Sequence, residues 1–341
     1  MMINISTDNY NQNKTEITLQ NSNGMIVKLL NHGATLEKIL LPSKNGDSRN
    51  VILSLNSPSD YDKERNYLGG TVGRVIGRMK DGIWQKANGE NMQFELNEDN
   101  RTHAHGGTYG LDTQTFEYQT EKTEDTCSVI FTYLDSDGHN GYPGNLNVTV
   151  KYTLDNTNKL TYSVSATTDK TTLCNIANHT YFCLDGPNTN VKDTTLKIPA
   201  DTYLTLDEQH IPLKNTAPVE NTCFDFKNGA PIAQALDSSD QQIQQENGLN
   251  HPFIINNKEA VSLESSDKKV KMTMHTNAPA VVTYTGNHFN HTGYAKNLGQ
   301  YCGIALEAQI PPSATHDLSS IVLTPADTFH REVTWGFDYN L

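Results

Sequence analysis

No run of about 18 consecutive apolar residues occurs in the 341-residue sequence, so none of it reads as a membrane-spanning helix. The opening stretch, MMINISTDNYNQNKTEITLQ, holds neither the basic nor the apolar region of a secretory leader. Cysteine is sparse. Cys127, Cys174, Cys183, Cys223 and Cys302 are odd in number, scattered, and nowhere in C-x-x-C spacing. That argues against a disulfide framework and predicts free thiols in a reducing, cytoplasmic setting. Positive charge is also short. Twenty-six Lys and Arg face 39 Asp and Glu, for a net charge of −13. Such a chain is repelled by phosphate backbones and anionic headgroups, so neither nucleic acid nor a membrane surface is an expected partner. A dinucleotide fingerprint and a Walker loop are both missing. Helical periodicity is scarce, and no Pro/Gly/Ser-rich linker divides the chain, which reads as one domain over residues 1–341.

What remains is alternation. LNVTVKYTL (146–154), KLTYSVSAT (159–167), TTLKI (194–198), KVKMTMHT (269–276) and AVVTYTG (280–286) repeat with period two and are rich in Thr, Val, Tyr and Ile. Turn residues separate the strands, as in SKNGD from Ser43, DSDGHNGYPG from Asp135, DNTNK from Asp155 and NNKE from Asn256. The pattern predicts an all-β fold, an antiparallel sandwich or stacked sandwiches. PIAQALDSSDQQIQQ (231–245) predicts a short helix with Pro231 in its first turn, and SPSDYDKERN (57–66) a single turn.

Side-chain parity picks out two strands. In CGIALEAQI, Cys302, Ile304, Leu306, Ala308 and Ile310 share one face, and Gly303, Ala305, Glu307 and Gln309 share the other. The second face reads either as a pocket floor or as an ordinary half-exposed surface. In IANHTYFCLDG, His179 shares a face with Ala177, Tyr181 and Cys183 in a segment that reads as a buried strand. It is a hydrogen-bonded core histidine or a proton donor. Its spacing to Cys183 and Cys174 matches no usual zinc arrangement. RTHAHGGTYGLD brings His103 and His105 to one side ahead of Gly106 and Gly107, and TVGRVIGRMKDG supplies Arg74 and Arg78 among glycines. A pair of carboxylates would read as a glycosidase, with Asp112 and Asp185 the residues to check beside Glu307.

Taken together and in order, NHGATLEKILLPSKNG, GGTVGRVIGRMKDG, HAHGG, DGHNGYPG, NIANHTYFCLDG, GLNHPF and IALEAQIPPSA resemble the aldose 1-epimerase (galactose mutarotase) family, from about residue 30 to about residue 315. The resemblance implies a large antiparallel β-supersandwich and a cofactor-free, metal-free enzyme. Such an enzyme interconverts the α and β anomers of free hexoses such as galactose and glucose. Carried over by motif position, it implies His179 as general acid, Glu307 as general base, and Arg78 and His105 as sugar-binding residues. The family's G-x-D-H aspartate is replaced here by Asn250, a substrate-binding position that keeps an acceptor, gains a donor and lacks the charge. The implied partner is a free monosaccharide or small reducing sugar, handled by a monomer or homodimer. The alternatives are a maltose epimerase, a non-catalytic sugar-binding protein on the same fold, and a polysaccharide-active sandwich enzyme. Acid–base ring opening transfers no electron and no group, so it requires one base and one acid, each contributing typically ~10²–10⁴ in rate.

Overall fold

Alternation becomes burial along the hairpin at the heart of the molecule. The computed structural model describes residues 2–187, 189–256 and 259–341. In the strand Leu146–Asp155, Leu146, Val148, Val150, Tyr152 and Leu154 are sealed from solvent, and the residues between them are at least partly open. The next strand, Lys159–Thr168, pairs with it antiparallel, Val150 opposite Val164 and Tyr152 opposite Tyr162. The joining turn is made by the aspartate that begins it. The Asp155 carboxylate accepts from the backbone N–H groups of Thr157 (2.7 Å) and Lys159 (2.9 Å), the side-chain-to-backbone bonding that favours Asp in turns.

Among the described residues the strands form sheets of nine, six and five strands and four two-stranded ribbons. Every strand pair in them is antiparallel. The five-stranded sheet is a meander from Asn4 to Asn50. One core joins all three sheets. It includes Ile17 and Val27 from the meander, Val150 and Phe337 from the nine-stranded sheet, and Phe253, Ile304 and Leu306 from the six-stranded sheet. Burial of each such side chain stabilises the fold by about 1.5–3 kcal/mol. The result is the stacked antiparallel sandwich that the alternation predicts.

Two local expectations are corrected and one is met. The helix expected over 231–245 is two helices, α1 (Ala233–Leu236) and α2 (Gln241–Glu246), and Pro231 lies in the short strand Ala230–Pro231 instead of a first helical turn. The polar run Asp237–Asp240 interrupts it, and the Asp240 side chain caps α2 by accepting from the Gln242 N–H at 2.8 Å, a bond that competes with helix continuation. The expected turn over Ser57–Asn66 is a 3₁₀ turn at Pro58–Asp60. The buried strand expected through His179 is two pieces with different partners. Ala177–Asn178 pairs with Thr71–Val72, and Tyr181–Phe182 pairs with the strand Ile304–Gln309. The turn expected at NNKE includes Asn257 and Lys258, which lie outside the described residues.

Candidate active site

The change of partners at residues 179–180 is what creates the site. The chain crosses there from a ribbon to the six-stranded sheet, and His179 projects into the space between them. Its backbone is held on both sides: His179 N–H donates to Gly70 O, and Gly69 N–H to His179 O, each at 3.0 Å. The neighbouring Asn178 reinforces the crossing. Its amide donates to Gly69 O (2.8 Å) and to the Tyr152 hydroxyl (3.0 Å), while its carbonyl accepts the Thr180 N–H (3.0 Å). Parity survives the break. Ile176, Phe182 and Leu184 enter the main core, whereas His179 and Tyr181 line a cavity of about 310 Å³.

The opposite wall is the strand Ile304–Gln309. Ile304, Leu306 and Ala308 enter the core, and Glu307 and Gln309 face the cavity, as parity predicts. Beyond the strand ends the prediction fails, because Cys302 packs with Tyr181 in a smaller cluster and Ile310 against a third. Gln309 donates its amide to Glu307 Oε2 at 3.0 Å. Glu307 Oε1 lies 3.3 Å from His179 Nε2, and each side chain is 5% exposed. Thus an imidazole and a carboxylate 128 residues apart meet in one hollow. Burial pushes the Glu307 carboxyl above the usual carboxylate range, although the charges of His179 and Arg78 and the Gln309 bond oppose the shift.

Arg78 and His105 arrive together on a ribbon. The strand Arg78–Lys80 pairs with Thr102–Ala104, Ala104 opposite Arg78, and the His105 N–H donates to Gly77 O at 2.9 Å. Gly77 has φ +79°, and a Cβ there would meet Pro312 at 2.6 Å, so the close approach requires glycine. His103 and His105 do not share a side, because the backbone turns at His105 (φ 48°). His103 faces inward between Glu95 O (2.9 Å) and the Tyr142 hydroxyl (2.8 Å). The Gly77 N–H donates to His105 Nδ1 at 3.4 Å, which leaves the proton of the neutral ring on Nε2. Burial, reinforced by the charges of His179 and Arg78, holds His105 well below the usual imidazole range and hence neutral. Arg78 binds both oxygens of Glu98, Nε to Oε2 at 2.6 Å and Nη2 to Oε1 at 2.8 Å. Burial works against both charges, but the pairing wins: Arg78 is raised and Glu98 lowered.

Asn250 begins the strand Asn250–Ile255 and also lines the cavity. Its amide donates to Glu246 Oε2 at 2.9 Å. All five expected site residues are therefore gathered in one place. Asp112 and Asp185 are not there. Asp112 pairs with Arg65 (2.6 and 2.7 Å), and Asp185 accepts from the Ser266 backbone. The other carboxylate among the described cavity-lining residues is Glu98.

Tyr67 also lines the cavity. Its ring lies 4.6 Å from His105 and 5.9 Å from His179, between centroids. Tyr181 flanks His179 at 5.0 Å. These rings pack around the imidazole, whose side chain is 5% exposed. Phe182, by contrast, belongs to the core. The one available signal for Tyr67 was its position just ahead of Gly69 and Gly70, which permit close packing under His179.

The aldose 1-epimerase family model matches residues 15–334. Aldose 1-epimerase of Escherichia coli (strain K12) is 32% identical over 308 residues, covering 88% of this chain and 87% of that protein. Maltose epimerase of Levilactobacillus brevis is 28% identical, covering 96% and 95%. The solved structure of galactose 1-epimerase from Lactobacillus acidophilus NCFM superposes with a TM-score of 0.92 at 46% identity, over the full length of both chains. With a family model across nearly its whole length and that match in fold, the chain belongs to the aldose 1-epimerase family.

Proposed function

We propose that this protein is an aldose 1-epimerase that interconverts the α and β anomers of free hexoses such as galactose and glucose. The observation that carries the reading is the approach of His179 Nε2 to Glu307 Oε1, 3.3 Å apart at the bottom of a cavity of about 310 Å³. A hemiacetal seated there meets a base and an acid at once. Glu307 takes the C1 hydroxyl proton as His179 protonates the ring oxygen. The C1–O5 bond breaks, and an open-chain aldehyde forms. Rotation about C1–C2 presents the other carbonyl face. Closure then runs the two transfers backward: O5 attacks C1, His179 recovers its proton, and Glu307 returns its own to the C1 oxygen. Both groups end each turnover in their starting states, so no external proton source is needed.

The supporting residues fit the same chemistry. The neutral His105 offers an Nε2–H donor. Arg78, fixed by Glu98 through two nitrogens, has no hydrogen-bond partner for Nη1 among the described residues. Both donors are suited to a sugar oxygen that gains charge as the ring opens. A raised Glu307 pKa brings its basicity closer to neutrality, where general-base catalysis is most effective. A glycosidase reading is weaker, because both oxygens of Glu98 are already committed to Arg78.

Polarimetry of freshly dissolved α-galactose and α-glucose tests the proposal. The wild-type protein accelerates the approach to anomeric equilibrium. Tight sugar binding without acceleration would overturn it in favour of a non-catalytic sugar-binding protein.

A further inference from the structure

Glu246 carries a buried carboxylate that the proton chemistry does not use. Its side chain is 2% exposed, at the end of α2. Two residues that do line the cavity, Asn250 and His210, converge on it. We propose that Asn250, His210 and Glu246 form a hydroxyl-recognition element, in which Glu246 orients the other two so that Asn250 presents an acceptor and His210 a donor to the sugar. The inference rests on the epimerase reading and deepens it, assigning His210 as a substrate-binding residue and Glu246 as a positioning residue.

The directions follow from hydrogen-bond chemistry. An ionised carboxylate can only accept. The Asn250 atom 2.9 Å from Glu246 Oε2 is therefore its amide nitrogen, and its carbonyl oxygen is turned elsewhere, with no protein partner among the described residues. His210 Nδ1 lies 2.8 and 2.9 Å from the two Glu246 oxygens, so it carries a proton and leaves Nε2 without a protein partner among the described residues. Glu246 is itself held by Gln245 Nε2 at 3.1 Å. His210 is fixed in a tight turn, with φ +60° and its N–H donating to Asp207 O at 3.0 Å. Its bond to Glu246 raises the imidazole pKa, although burial opposes the rise. In Glu246, burial acts upward but the bonds from His210 and Asn250 hold the carboxyl below its ordinary range. The other charged groups facing His210 are Arg78, which disfavours its protonation, and Glu98, which favours it. The protonated ring donates from both nitrogens.

Position separates this element from the acid–base pair. Asn250 is opposite Tyr284, which is opposite Ala305 on the strand that carries Glu307. Two strand spacings, roughly 10 Å, with a further offset of two residues along the strand to Glu307, leave room for a pyranose ring with a hydrogen bond on each side. A sugar with C1 between His179 and Glu307 thus offers its far hydroxyls to Asn250 and His210. Galactose and glucose differ there, in the orientation of the C4 hydroxyl.

The test measures kcat and KM by polarimetry and Kd by calorimetry, for galactose and glucose separately. In Glu246→Gln, KM and Kd rise by about tenfold, the loss expected for one charge-assisted hydrogen bond. The galactose-to-glucose preference changes, and kcat falls far less. The wild-type KM climbs as pH rises through the elevated His210 pKa, and in Glu246→Gln that limb moves to lower pH. His210→Gln, at a half-exposed position that need not disturb folding, abolishes the limb. Asn250→Asp sets two carboxylates against each other and weakens binding, and Glu246→Gln added to it restores part of the loss. An unchanged Kd, a loss confined to kcat, an unchanged sugar preference, an unmoved pH limb, or additive losses in the double variant would overturn the proposal. If the wild-type protein binds both sugars without accelerating anomer exchange, the epimerase reading fails while the binding arms still decide this one. Failure to bind either sugar overturns both.

Discussion

Arg74 and Arg78 stand four residues apart in GRVIGR, yet they do opposite work. Arg74 is 1% exposed, with Nε bonded to Asp135 Oδ2 at 2.5 Å and its other nitrogens donating to the carbonyls of Asp135, Pro143 and Gly144. Every nitrogen has an internal partner. Arg78 meets Glu98 on one edge and the cavity on the other. His103 and His105 repeat the contrast two residues apart. Both ring nitrogens of His103 are engaged, whereas His105 keeps Nε2 for the cavity. Residue type alone does not separate the structural members, the sealed Arg74 and His103, from their partly open counterparts Arg78 and His105. Hydrogen-bonding capacity left over after folding does.

The contrast makes opposite demands on the two sides, and the sharpest lies at its centre. Glu307→Gln and His179→Asn each lower kcat by about 10²–10⁴, read by polarimetry, with the β-sheet circular dichroism intact. The fold disfavours the charged form of Glu307, so its ionisation costs stability as pH rises from the unfolded carboxyl pKa to the raised folded one, and that cost persists above it. Glu307→Gln therefore raises the melting temperature at pH 7. A lower melting point would place Glu307 among the structural residues.

Arg74→Met should do the reverse. It leaves the Asp135 carboxylate, which is 3% exposed, with His139 as its remaining side-chain partner, and costs about 3–5 kcal/mol of stability in chemical denaturation. The folded fraction keeps its kcat. A kcat loss at full stability would erase the distinction between the arginines.

Smaller effects follow at the histidines. His105→Phe lowers kcat/KM by about tenfold to a hundredfold with little change in melting temperature. His103→Gln costs about 1–3 kcal/mol and leaves kcat/KM within about twofold. Equal effects at both positions would dissolve the pairing. The least demanding measurement is the acid limb of the wild-type kcat/KM profile, which reports the free enzyme. It lies above the ordinary carboxylate range because burial raises the Glu307 pKa and protonation removes the proposed base, and Glu307→Gln lacks the limb altogether.

Much of this was legible in the sequence, and the illegible part has a common cause. Parity placed Glu307 and Gln309 on one face of their strand, and Tyr181 and Phe182 on opposite faces, because strand geometry is local. The motif resemblance brought in Arg78, His105 and Asn250. Glu98, His210 and Tyr67 lie outside the alternating segments and the matched motifs, where no period constrains side-chain direction. Glu246 was missed for a different reason. It ends a helix shortened by the Asp237–Asp240 interruption, and its role is set by partners 36 residues away and 4 residues away. The joint placement of His103 and His105 failed at a single backbone angle.

The strand that follows His179, Tyr181–Phe182, pairs with the strand that carries Glu307, and that pairing closes a loop of more than a hundred residues. Such distant pairings form late, because the chain entropy of closure is lost before the contact stabilises anything. Catalytic competence is therefore a property of the finished molecule, absent from any partly assembled one. In a refolding experiment the return of anomerase activity is expected to lag the return of the secondary structure, because it requires this long-range pairing.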